Sequence, residues 1–296
     1  MLQPDAATET VRQSIYACTG VPAAHLTPLR GGMIAEVYRV DLVDGRRAVA
    51  KVDRRAQPTL HIEGQMLDFL AAQTDLPVPL VWHATPGLLV MDWLPGVSHF
   101  DRRAEVHVAE LLAALHAVQP AGAHAGQSGF PFDTLIGALP QPNPWSASWA
   151  TFFAEARLLH LGRLAVDMAR MPVALLRRLE TLCGRMDELI EEPAAPSLVH
   201  GDIWGSNLLA DDGRIVGVLD PALYFGHAEV ELAYIALFHS FGQAFFNHYQ
   251  ELRPLTPGFF SARMPVYQLY PLLSHVCHFG GHYVADTEST LAGLGF

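Results

Sequence analysis

Residues 198–221 read LVHGDIWGSNLLADDGRIVGVLDP, and the interpretation of the chain turns on them. A short apolar run, Leu198-Val199, leads into His200-Gly201-Asp202, and Asn207 follows five residues after Asp202. A second apolar run, Ile215 to Leu219, ends at Asp220. Between the runs lies Asp211-Asp212-Gly213, and an Asp-Gly step in that position signals a β-hairpin. Such a hairpin folds Asp202, Asn207 and Asp220 toward one end of a small sheet. Two carboxylates and an amide gathered there suit phosphoryl transfer to a hydroxyl. One carboxylate accepts the hydroxyl proton, while the other and the amide oxygen hold Mg²⁺ against nucleotide phosphates. A hairpin with merely solvated acids carries the same local pattern.

The order His-Gly-Asp, four residues, Asn, then a strand ending in Asp resembles the catalytic loop and metal-binding aspartate of the protein-kinase-like phosphotransferases. Gly201 stands where protein kinases carry arginine, and Asp220-Pro221 replaces Asp-Phe-Gly. Both changes point to small-molecule kinases of the aminoglycoside and choline type. Trp204 and the run Asp220-Pro221-Ala222-Leu223-Tyr224-Phe225-Gly226-His227 are similar to the fructosamine kinase (ketosamine 3-kinase) family. The same holds for Gln141-Pro142-Asn143-Pro144-Trp145, for Trp149, Phe152, Phe153 and Arg157 behind it, and for Tyr267 to Leu273 and Phe279-Gly280-Gly281. The likeness covers nearly the whole chain.

That resemblance implies an α+β, protein-kinase-like fold of two lobes: residues 1–94 as a small antiparallel sheet with one main helix that binds nucleotide, and 95–296 as a larger, mostly helical catalytic lobe. It implies ATP and Mg²⁺ as cofactors and a ketosamine as acceptor, free or protein-bound, phosphorylated at the sugar C3 hydroxyl. Asp202 would be the proton acceptor, with Asn207 and Asp220 as metal ligands. Met91 would face adenine, with the backbone of Asp92 and Leu94 bonded to it, and Trp204 and Tyr224 would lie on the substrate side. Trp204 could equally pack beneath its loop. Three positions depart from the family's wording: Met33 after the paired glycines, Thr134 for asparagine, and Glu231 where related enzymes use aspartate to brace the catalytic loop. An aminoglycoside or choline acceptor, or a non-catalytic nucleotide binder on the same fold, are the competing readings.

Lys51 supports the nucleotide assignment independently of wording. Eighteen of the nineteen basic residues are arginine, and the one lysine sits in Ala48-Val49-Ala50-Lys51-Val52, a β-rich run. A compact ammonium on a flexible stem reaches the α and β phosphates from a third strand in a way that a planar guanidinium does not. Glu63, on a helix expected over Leu60 to Thr74 with Ile62, Met66, Phe69 and Leu70 inward, is the acid to pair with it. Gly31-Gly32, between two strands, allows backbone N–H groups to approach phosphate, although a glycine pair also makes an ordinary hairpin.

Composition bounds the remaining choices. At 296 residues, 50% hydrophobic and 17% charged, the chain is globular. A formal net charge of −11 disfavours nucleic-acid binding, which needs a basic face. It is compatible with a cationic substrate. Three widely spaced cysteines in apolar contexts suit reduced thiols, and no run approaches the length of a membrane helix, so the cytoplasm is the expected location. Helices are expected over 8–18, 102–118, within 158–192 and over 229–241, and strands over 77–82 and 88–93. The Pro- and Gly-rich 122–145 stretch reads as an ordered loop across a cleft. His116 reads as a buried, hydrogen-bonded histidine, and the C-terminal histidines do not fall at zinc spacing.

Overall fold

A computed structural model describes residues 6–29 and 35–296, so Gly31-Gly32 lies outside the described residues. Alternation of apolar and polar residues along β2 (Glu36–Leu42) and β3 (Arg47–Val52) buries Val40, Leu42, Ala48, Ala50 and Val52 on one face. That period of two is what a half-buried strand requires. With β1 (Ala23–Leu29), β4 (Val81–Ala84) and β5 (Leu88–Asp92) they form a five-stranded antiparallel sheet in the order β1-β2-β3-β5-β4. Pro28 is tolerated because β1 is an edge strand. Helix α1 (Ala6–Thr19) covers one face through Val11 and Ile15, and α2 (Leu60–Gln73) covers the other through Met66, Leu67 and Leu70. Ile62 and Phe69, expected inside, are only partly buried, and Leu60 and Leu67 take the inner positions. Strand β4 starts at Val81 rather than Pro77, since Pro77 and Pro79 have no N–H to give a ladder.

The rest is mostly helical. Helix α3 (Arg102–Leu115) is capped by the Asp101 carboxylate accepting from Ala104 N–H at 2.9 Å. The 122–145 stretch is ordered and carries a short hairpin, β6 (Thr134–Ile136) and β7 (Leu139–Gln141). One helical rod follows, α4 (Trp149–Phe152) running through a π-helical stretch, Phe153–Leu159, into α5 (His160–Asp167). Then come α6 (Val173–Cys183) and α7 (Met186–Leu189). Strand β8 (Ser197–Val199), hairpin β9 (Leu208–Asp211) with β10 (Arg214–Val218), and β11 (Tyr224–Gly226) carry the 198–221 stretch. Helices α8 (Glu229–Leu237), α9 (Gln243–Leu252), α10 (Met264–Phe279) and α11 (His282–Gly293) close the chain. The α8 helix stops at Leu237, short of Phe241, and His239 takes a positive φ of 48° just beyond it.

The predicted Asp-Gly hairpin forms, with Asp212 and Gly213 both at positive φ. The run Leu198-Val199 is not part of it and pairs instead with β11 beyond Asp220. No helix among the described residues is long and apolar enough to cross a membrane.

Helix α8 is fastened at its first residue. Glu229, 2% exposed, accepts from Arg263 Nε at 2.7 Å and Nη2 at 2.6 Å, and Arg263 is itself buried at the start of α10. Removing one partner of such a pair strands the other charge in the interior. Arg263→Met is therefore expected to lose about 3–5 kcal/mol of stability, read as a lower urea midpoint, whereas a midpoint within error of the parent would contradict this account.

Candidate active site

Backbone geometry sets the catalytic loop. Gly201 has φ +85°, and a Cβ there would lie 2.2 Å from the Ala222 carbonyl oxygen, so only glycine fits. The His200 carbonyl accepts from Ala222 N–H at 2.7 Å, which lays residues 200–202 against 220–222. At the open end of the β9–β10 hairpin, Leu219 N–H donates to the Asn207 carbonyl at 2.8 Å, bringing Asn207 beside Asp220. Asp220 sits at φ +55°, a conformation that aspartate tolerates better than most residues. Asn207 donates its Nδ2 to Asp202 Oδ2 at 2.9 Å and to the Asp202 carbonyl at 3.0 Å. With its nitrogen committed, the amide oxygen is what Asn207 can offer a cation.

The sheet supplies the opposite wall. Lys51, on β3, donates to Glu63 Oε1 on α2 at 2.6 Å and also bonds to Asp220 Oδ1 across the cleft. Burial opposes the charge on Lys51, but the two carboxylates outweigh it and raise its pKa. Burial likewise pushes Asp220 up, and Lys51 more than reverses this, leaving it below the usual carboxylate range. Glu63 goes the other way, raised by burial and by Asp220 despite Lys51. Asp220 and Glu63 share one ammonium while Asp202 feels the Asp220 charge, which leaves the site short of positive charge. Its free donors are hard oxygens, as Mg²⁺ prefers, and the Lys51 ammonium lies where a cation already meets Asp220. The residues thus fit Mg²⁺, which Asn207 and Asp220 would hold.

Asp202 is half-buried, and burial raises its carboxyl to about 7. Hydrogen bonds from Tyr234 and Asn207 oppose that rise, and the Asp220 charge adds to it. The Tyr234 hydroxyl donates to Asp202 Oδ1, a contact that no motif announced. Tyr234 lies one helical turn beyond Glu231 on α8, so an i, i+3 reading of that face was the available signal. Glu231 itself, 1% exposed, accepts from Gly201 N–H at 2.7 Å and lies 2.8 Å from His116 Nε2. His116 is fully buried, with Tyr249 Oη 2.7 Å from its other ring nitrogen, as its sequence context suggested.

Other expected residues fall in different settings. Met91 is buried and the Asp92 N–H is taken by the Leu80 carbonyl at 3.0 Å. Leu94 packs over Gly217, and Val97 and Ala210 exchange backbone hydrogen bonds at 3.0 and 2.9 Å, which lays the interlobe linker onto β9. Trp204 is half-buried with its ring 6.1 Å from that of Phe238. Tyr224 is fully buried beneath the cleft wall, its ring 4.0 Å from the Arg157 guanidinium.

The Gln-Pro-Asn-Pro-Trp segment is internal wiring in this structure. Gln141 Nε2 donates to the Ala222 carbonyl at 2.9 Å and to Thr134 Oγ1 at 2.8 Å, and Asn143 Nδ2 also reaches Thr134 Oγ1 at 2.8 Å. Thr134 passes its proton to the Leu223 carbonyl at 3.0 Å, filling all three of its hydrogen-bonding positions. Arg157 donates to the Pro142 carbonyl at 2.8 Å and to Asn143 Oδ1 at 2.6 Å. The segment is thus bonded to the carbonyls of residues 222 and 223.

The sequence model of the fructosamine kinase family matches residues 7–294. A protein of Synechocystis sp. named probable ketoamine kinase is 35% identical over 96% of this chain and 95% of its own length. A crystal structure from Thermobifida fusca, carrying the provisional name fructosamine-3-kinase, superposes with a TM-score of 0.85 at 30% identity, covering 96% of this chain and 98% of that one. A more distant aminoglycoside phosphotransferase, in ternary complex with AMP-PNP and hygromycin B, shares 18% identity over 96% of this chain and 97% of its own, and its TM-score of 0.67 shows the common kinase-like fold. With two lobes of that fold and a match across almost all of its length, the chain belongs to the fructosamine kinase family and is an ATP-dependent kinase.

Proposed function

We propose that this kinase transfers the γ-phosphoryl group of Mg²⁺-bound ATP to a sugar hydroxyl of a ketosamine, at C3, with Asp202 accepting the hydroxyl proton. The observation that carries the reading is the convergence of Asp202, Asn207 and Asp220 at one hairpin end, facing the Lys51–Glu63 pair. Lys51 would anchor the phosphates and the Asp92 carbonyl and Leu94 would receive adenine, between lobes divided at Leu94-Pro95. Bound Mg²⁺ would neutralise charge on the phosphates. Gly31 and Gly32 would contribute backbone N–H groups, and Trp204 a ring face to the sugar. Little covalent chemistry falls to the protein, so positioning and preorganised charge must supply the rate. The cytoplasm, where ATP is available, suits the reaction.

ADP release from Mg·ATP, measured with ribuloselysine, fructoselysine, an aminoglycoside and choline in parallel, tests this. Release with a ketosamine, falling at least about a hundredfold in Asp202→Asn, is the expected outcome. A response confined to the aminoglycoside or choline would overturn the acceptor assignment.

The raised Asp202 carboxyl predicts a pH dependence for the free protein. A carboxyl whose folded pKa lies above its unfolded value adds stability that is complete at acid pH and is lost as pH rises through about 7. Asp202→Asn, which does not titrate, should therefore gain in Tm relative to the parent between about pH 5 and about pH 8. A constant difference would rule this out. Tyr234→Phe removes a hydrogen bond to the ionised carboxylate, so the ascending limb of kcat/KM should move to higher pH.

A further inference from the structure

The cleft face of the sheet extends from Lys51 toward the linker. Residues two apart along a strand share a face, and so do residues directly opposite in an antiparallel pair. Val49, two residues before Lys51, is paired with Arg39 on β2 and with Met91 on β5. Arg39, Val49 and Met91 therefore form a row across that face, next to the row of Val37, Lys51 and Leu89. Burial agrees with the register: Val49, Leu89 and Met91 pack with the core shared by α2, and Val40, Ala48 and Ala50 with the core under α1.

The outer row is mixed in character. Val49 and Met91 give a planar base an apolar cover that does not distinguish one base from another. Arg39 adds a cation, with 37% of its side chain exposed. Its Nε and Nη2 donate to Asp41 Oδ2 at 3.2 and 3.0 Å, which fixes the plane of the guanidinium. Arg47 Nε lies 3.3 Å from the other oxygen of Asp41, so two guanidinium groups share one carboxylate and a positive charge is left over. The Arg39 guanidinium carbon stands 5.9 Å over the Trp93 ring, on the linker one residue after Asp92. A planar, weakly hydrated cation between sheet and linker stacks on an aromatic face, and the attraction is strongest for the largest ring system.

We propose that Arg39 is the base-selecting residue of the nucleotide site: its guanidinium lies against the face of the base and favours purine over pyrimidine nucleotides. This rests on the placement of adenine at the Asp92 carbonyl and Leu94 and deepens it, since backbone bonds at the linker read the edge of a base, whereas Arg39 reads the extent of its π surface. Asp41 sets the guanidinium plane, Arg47 keeps Asp41 in place, and Trp93 flanks the same cation from the linker side. The contact is made to the base and not to the phosphates, which belong to Lys51 in the neighbouring row.

Calorimetric titration with ADP and with CDP, without acceptor, tests this in the parent and in Arg39→Lys and Arg39→Met. The parent should bind ADP more tightly than CDP. Both variants should weaken ADP about fivefold, as a cation–π contact at a partly exposed site supplies, and leave CDP within about twofold, so that the preference shrinks. Lysine keeps the charge but not the planar face. Parent-like ADP binding by Arg39→Lys beside a loss in Arg39→Met would therefore overturn the stacking account in favour of simple charge attraction. An equal loss for both nucleotides, no loss for either, or a parent that binds ADP and CDP alike would overturn it too. Lys51→Met separates this from the reading beneath it. ADP binding that needs Lys51 but ignores Arg39 leaves the nucleotide site standing and removes only the base contact, whereas ADP binding that ignores Lys51 sinks the placement of the nucleotide, and the proposal with it.

Discussion

One buried carboxylate, Glu231, organises the catalytic centre. An ionised group with 1% exposure is costly unless its oxygens are saturated with donors. Burial alone would raise its carboxyl, but the bonds to His116 and to Gly201 N–H reverse that and hold it low. Its two oxygens thereby tie the catalytic loop to α3, and His116 carries the tie on to Tyr249 of α9. Because the grip on the loop is through a backbone N–H, it positions Asp202 without restricting the Asp202 side chain. The extra methylene of glutamate, compared with the aspartate of related enzymes, still allows both bonds.

The second constraint is electrostatic and joins the lobes. Lys51 on the sheet meets Glu63 on α2 and Asp220 just beyond β10, so the only lysine in the chain bridges the two lobes. On the proposed reading, a cation at Asp220 would compete with Lys51 for the same carboxylate, and phosphate oxygens would supply Lys51 with a replacement partner. The linker is held meanwhile by the Val97–Ala210 bonds and by Leu94 over Gly217, so its geometry is tied to the hairpin that carries Asn207 and Asp220.

The Gln-Pro-Asn-Pro-Trp segment shows how a family signature can work at one remove from chemistry. Gln141, Asn143, Thr134 and Arg157 bond to one another and to the carbonyls of residues 142, 222 and 223. Buried polar groups must be satisfied together, which leaves little freedom to change one alone. The segment is bonded to the backbone that leads from Asp220 into β11.

Local rules made much of this legible in the chain. The Asp212-Gly213 turn and the β-rich run around the solitary Lys51 announced the hairpin and a strand of the sheet, because each depends on near neighbours and on residue type. The pairing of Lys51 with Glu63 was also readable, resting on a strand followed by a helix. Only tertiary structure decided that Leu198-Val199 pairs with β11 rather than joining the hairpin, that Tyr224 is enclosed against Arg157, and that Tyr234 reaches Asp202. These outcomes depend on which elements share the interior, and hydrogen bonds between residues 30 to 170 positions apart leave no periodic trace in the sequence.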